Sequence, residues 1–145
     1  MSGELTQFVG ATNGTATTGT VYLYNNYMYI TGSTPYVPIP VLTVPIGTKL
    51  KIWGIRVSGS PVTFNIQFAP NALSYYTGGT PSWATIESVT LSSPGELYIA
   101  LRRPIVIPGK YGTEGIQITW SQSSAAVSVI TLDVEVVVTA EDDEQ

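Results

Sequence analysis

Histidine and cysteine are absent from this chain of 145 residues, and charge is scarce. Charged side chains make up 11% of the sequence, against roughly 25% in an average soluble domain. Four of the ten acidic residues, Glu141, Asp142, Asp143 and Glu144, crowd the C-terminus, and between Leu5 and Leu132 the carboxylates are Glu87, Glu96 and Glu114. These absences remove the usual nucleophile–base pairs and the nitrogen and sulfur ligands of metal sites. The chain therefore reads as a non-enzyme that needs no cofactor and holds no metal. Without cysteine it has no disulfides to lean on, but its size suffices for an unstapled core. No apolar run approaches the ~20 residues of a spanning helix, so no membrane insertion is expected. The opening residues MSGELTQ carry neither the basic nor the apolar region of a secretory leader, which points to synthesis without export. A net charge of −4 speaks against a nucleic-acid partner bound through counterion release.

What is abundant is Val, Ile, Thr, Tyr, Gly, Pro and Ser, arranged as strands. Val62–Ala69 alternates most cleanly, with Val62, Phe64, Ile66 and Phe68 on one face and Thr63, Asn65 and Gln67 on the other. Thr20–Ile30, Val37–Val44, Thr48–Ser58, Trp83–Leu91, Glu96–Arg103, Glu114–Trp120 and Ala126–Ala140 also read as strands. In the last of these Ile130, Leu132, Val134, Val136 and Val138 are expected inward, with Thr131, Asp133 and Glu135 outward. Turn signals separate the strands, as at Ser58-Gly59-Ser60-Pro61 and Ser92-Ser93-Pro94-Gly95. Pro70–Pro81 reads as a polar loop and Pro104–Gly112 as an exposed connection. No window has capped helical periodicity. About eight strands at this spacing give an all-β, antiparallel β-sandwich, with an eight-stranded jelly roll as the expected topology and a seven-stranded immunoglobulin-like sandwich as its competitor. The expected organisation is a flexible N-terminal arm over residues 1–19, a sandwich domain over 20–140 and an acidic tail over 141–145.

Three features are candidates for contact with partners. Tyr22, Tyr24, Tyr27 and Tyr29 form an aromatic ladder in one strand, either an interface, since tyrosine is enriched there, a stacking platform for sugars, or cross-strand packing. Tyr75, Tyr76 and Trp83 cluster around the long loop. Arg102 and Arg103 concentrate positive charge, and on a regular strand they point to opposite faces, one exposed and the other paired or buried. Asp133 and Glu135, two apart on one strand face, are a conceivable Ca²⁺ or glycosidase pair, but the ordinary solvated face of a sandwich strand explains them better. Asn13-Gly14-Thr15 matches a glycosylation sequon.

In strand rhythm, Pro-rich connections, low charge and loose termini, residues Val21 to Ala140 resemble the small single jelly-roll proteins of viral shells: capsid, turret, fibre or decoration subunits. No short motif carries the resemblance, so it assigns no functional residue. It implies a self-assembling structural subunit of a virion, partnered with copies of itself and with other virion proteins. The alternatives are an extracellular β-sandwich filament or tube subunit, or a module that binds glycans or a cell surface.

Overall fold

A computed structural model describes residues 2–24 and 38–138, with side chains from Leu5 onward. Nine strands lie in this range: β1 (Ser2–Ala11), β2 (Thr18–Thr20), β3 (Leu42–Thr43), β4 (Thr48–Gly59), β5 (Val62–Ala69), β6 (Ala84–Leu91), β7 (Gly95–Pro108), β8 (Gly115–Ser121) and β9 (Val129–Val138), with one 3₁₀ helix at Ala72–Thr77. They form two antiparallel sheets. One is ordered β1-β9-β4-β7; the other is ordered β2-β8-β5-β6, with β3 also paired to β8. Because β2 and β3 share one position beside β8, the sheets hold eight strand positions. First pairs with last, second with seventh, third with sixth and fourth with fifth, which is the jelly-roll winding.

The core is the space between the sheets. Phe64, Ile66, Ile118 and Leu132 are fully buried there, as is Val134, while Trp120 is 4% exposed; Phe68 packs against them from the rim. Alternation in β5, β8 and most of β9 thus does what the sequence predicts. Where β2 crosses β8, Gly19 lies against the Trp120 indole, and a Cβ there would stand 2.7 Å from the ring.

Several expectations are corrected. Residues 2–11, expected within a flexible arm, form β1, which pairs with β9 from Leu5↔Glu135 to Ala11↔Val129. Phe8 is 3% exposed in the core, and that burial outweighs the Thr and Gly content that suggested looseness. The segment Pro104–Pro108, expected as connection, continues β7, with Ile105 opposite Ile52 and Ile107 opposite Leu50. The loop over 70–81 contains the 3₁₀ helix, anchored by buried Ala72 and closed by Gly78 at φ +89°. At the end of β9, Val137 is buried while Val138 is 47% exposed, the reverse of strict alternation. Val138 pairs with Thr48, the first residue of β4, where the core ends. Tyr27, Tyr29 and the acidic tail lie outside the described residues.

Candidate functional site

The outer face of the β1-β9-β4-β7 sheet carries a connected arrangement of polar and aromatic side chains. It is organised by an irregularity in β4. Ile52 pairs with Val134 and Gly54 with Asp133, so Trp53 is an extra residue bulged out of the ladder with β9. On the other side of β4 the register jumps from Ile52↔Ile105 to Gly54↔Ala100, leaving Leu101–Pro104 of β7 as an arch opposite Trp53. Pro104 has no N–H for the ladder, which fits it to this unpaired stretch.

The bulge turns Trp53 toward β9, where its Nε1–H donates to Glu135 Oε1 at 2.9 Å. Glu135 is only 9% exposed, so it is not the solvated carboxylate expected. A hydrogen-bonded indole beside it supplies the donor that a buried carboxylate requires. Asp133, on the same face, accepts from Gln7 Nε2 at 3.1 Å through Oδ1 and from the Tyr98 hydroxyl at 3.3 Å through Oδ2. Gly54 leaves room for this meeting: a Cβ there would lie 2.7 Å from the Tyr98 hydroxyl and 2.8 Å from Asp133 Oδ2. Next along β4, the Arg56 guanidinium stacks 4.7 Å from the Tyr98 ring centroid, within cation–π range, and pairs with Glu96 at 3.3 Å. Tyr98 nevertheless remains 46% exposed. The result is an aromatic ring fixed at its hydroxyl and at one side, framed by two carboxylates, an amide and a guanidinium. Each carboxylate already accepts from a neighbour. Among the described residues, no three His, Cys, Asp or Glu side chains gather as a metal site.

The residues singled out from sequence are dispersed by the fold. Tyr22 is exposed beyond the end of β2. Tyr24 is half-buried and forms an isolated antiparallel bridge with Val9, its N–H donating to the Val9 carbonyl at 2.9 Å and its carbonyl accepting at 3.0 Å. Tyr75 and Tyr76 sit on the 3₁₀ helix, edge to face at 5.2 Å. The Tyr76 hydroxyl donates to the Val41 carbonyl at 2.5 Å, and burial, with Tyr75 adding to it, pushes the Tyr76 phenol above its ordinary range. Trp83 is half-buried against Val41, Ala69 and Ala72, a packing role. Arg102 and Arg103 are both exposed, and neither has an ion-pair partner among the described residues. The expected division into one exposed and one paired arginine fails because both lie in the arch, where strand alternation no longer applies. Of the carboxylates between Leu5 and Leu132, Glu114 is 4% exposed and accepts the Tyr111 N–H at 3.1 and 3.2 Å.

Sequence reasoning passed over Trp53, Gly54, Arg56, Tyr98 and Gln7. One signal was present: apolar residues run Leu50, Ile52, then Ile55, Val57, and that change of parity is how a one-residue bulge shows in a strand.

No family model and no curated protein matches the chain. Among solved structures it is similar to the CBM22-2 xylan-binding domain of Paenibacillus barcinonensis Xyn10C, at 10% identity and TM-score 0.39, covering 91% of this chain and 87% of that one. It is similar to the Clostridium thermocellum endo-1,4-beta-D-xylanase 10B CBM22-1–GH10 modules at 15% identity and TM-score 0.35, covering 90% of this chain and 24% of that one. It thus spans about a quarter of that xylanase chain. The structure of infectious bursal disease virus, Gx strain, is similar at 13% identity and TM-score 0.35, covering 94% of this chain and 30% of that one. The likeness extends to the β-sandwich and no further.

Proposed function

We propose that the protein is a non-catalytic glycan-binding module, and that the outer face of the β1-β9-β4-β7 sheet is its binding surface. The observation that carries this reading is the state of Tyr98: 46% exposed, with its hydroxyl tied to Asp133 and Arg56 stacked against its ring. Sugars present apolar ring faces and a rim of hydroxyls. A pre-fixed aromatic takes the first at little entropic cost, and carboxylate, amide and guanidinium groups take the second. Asp133 serves here as a hydrogen-bond acceptor for the ligand while Glu135 holds Trp53, and the module acts at an extracellular surface. Isothermal titration against a panel of soluble polysaccharides tests the reading. At least one is expected to bind, and Tyr98→Ala is expected to weaken it by 10-fold or more. The reading fails if none binds, or if Tyr98→Ala binds as the wild type does.

A second reading, the self-assembling subunit of a virion or filament, draws on one end of the sandwich. Ile46 is 69% and Tyr111 68% exposed, and the loops that bear them meet where a Cβ on Gly112 would contact Ile46 at 3.3 Å. Exposed apolar pairs of this kind suit an interface between copies. Sedimentation velocity separates the readings: an assembling subunit gives a concentration-dependent oligomer that Ile46→Ser/Tyr111→Ser dissolves, and a binding module sediments as a monomer.

A further inference from the structure

All six cationic residues of the chain are Lys49, Lys51, Arg56, Arg102, Arg103 and Lys110. The first three lie on β4, a strand of 12 residues, and the next two on β7, a strand of 14; Lys110 follows two residues past the end of β7. These strands are hydrogen-bonded neighbours, so a protein of net charge −4 concentrates its positive charge on one half of one sheet. The alternation of β4 fixes the side on which three of them lie. Leu50, Ile52, Ile55 and Val57 are fully buried, which sends Lys49, Lys51 and Arg56 to the outer face beside Trp53 and Tyr98. The arch holds Arg102 and Arg103 both in solvent, around a hollow lined by Ala100, Leu101 and the two arginines.

We infer that the ligand of this face is an acidic polysaccharide, carboxylated or sulfated, whose anionic groups are taken by Arg102 and Arg103. This rests on the glycan-binding reading and adds the substrate class to it. Two consecutive arginines that line one hollow, exposed and without a protein carboxylate to hold them among the described residues, offer the forked donors that match carboxylate and sulfate oxygens. Holding two like charges side by side is unfavourable without a counter-anion, and an arch that presents both supplies the place for one. A carboxylate of the same face selects among polyanions. Asp133 lies on β9, beyond β4 from the arginines, so a ligand covering the face must bring hydroxyl donors to that side and anions to the other. A uronic-acid or sulfated sugar chain has both, whereas a nucleic-acid phosphate backbone would set its charges against that carboxylate.

Titration with uncharged, carboxylated and sulfated polysaccharides of similar length, and with single-stranded DNA, at 20 and 200 mM salt tests this. Acidic chains are expected to bind at least 10-fold tighter than uncharged ones at low salt. Arg102→Gln/Arg103→Gln, at unchanged melting temperature, should remove that preference, flatten the salt dependence and leave any binding of uncharged chains intact. Tyr98→Ala should weaken both kinds. If uncharged chains bind as tightly as acidic ones and the arginine variant changes nothing, the acidic specificity is overturned while the glycan reading stands. If no polysaccharide binds, the glycan reading itself fails. If DNA binds as tightly as the acidic sugars and Tyr98→Ala has no effect, the face is a plain polyanion surface and the inference is overturned.

Discussion

Trp53 donates its indole N–H to Glu135 Oε1 across 2.9 Å, joining the bulge of β4 to the last strand of the sheet. Glu135 is almost without solvent, so the two groups depend on each other. Glu135→Ala should cost about 1–3 kcal/mol, the usual result of stranding a buried donor, and Glu135→Gln, which keeps an acceptor in place, should cost less. Urea unfolding of the two variants gives the comparison. Equal stability of Glu135→Ala and the wild type would mean that the indole finds water instead.

The first strand supplies the second prediction. β1 covers one side of β9 over a continuous run from Leu5 to Ala11 and brings Phe8 into the core. Removing residues 1–11 would leave β9 as an open edge and uncover its inner face, so the truncated chain should lose its cooperative thermal transition. Phe8→Ala should lower stability by about 3–5 kcal/mol, as truncating a buried aromatic does. A truncated chain that melts like the full one would restore the view of this segment as an arm.

The contrast between β1 and β5 shows what the sequence makes legible. Val62, Phe64 and Ile66 announce their strand because apolar and polar residues alternate without a break. In residues 2–11 the apolar positions are few, and the strand is specified by its partner β9 more than by its own composition. The arch at Leu101–Pro104 is hidden for another reason. Leu97, Ile99, Leu101, Ile105 and Ile107 keep one parity throughout, so alternation passes through the irregularity without marking it. The site was illegible because it joins β1, β9, β4 and β7, with Gln7 and Asp133 meeting across 126 positions of sequence. Asp133 and Glu135 were visible as a pair; that Trp53, Gln7 and Tyr98 would engage them was not.

Gly54 gives a test that separates the site from the fold. A methyl at this position would press on the Tyr98 hydroxyl and Asp133 Oδ2, the ends of two side chains on the outer face. Both can swing outward, and alanine is better than glycine in a strand interior by about 0.5–1 kcal/mol. Gly54→Ala should therefore change stability by less than about 1 kcal/mol while separating Tyr98 from Asp133. Affinity for the bound polysaccharide should fall 10-fold or more by titration calorimetry. Unchanged affinity would show that the Tyr98–Asp133 contact does not shape the surface.

Tyr76 makes stability depend on alkaline pH. Burial disfavours its phenolate and holds its pKa above the ordinary value of 10.0, with Tyr75 acting in the same direction; ionisation would also remove the proton donated to Val41. In the unfolded chain the phenol ionises near pH 10. Above that pH the unfolded state binds fewer protons than the folded one, so stability falls as pH rises. The contribution of the neutral phenol is complete below about pH 10 and is lost as pH climbs through the folded value. Melting temperatures from pH 8 to 11 should decline more steeply for the wild type than for Tyr76→Phe, which lacks the group. At pH 8 the variant should be less stable by about 0.5–1.5 kcal/mol, the ordinary worth of the hydroxyl's hydrogen bond. Parallel curves for the two proteins would assign the alkaline loss to other groups and leave the 3₁₀ helix without a titrating anchor.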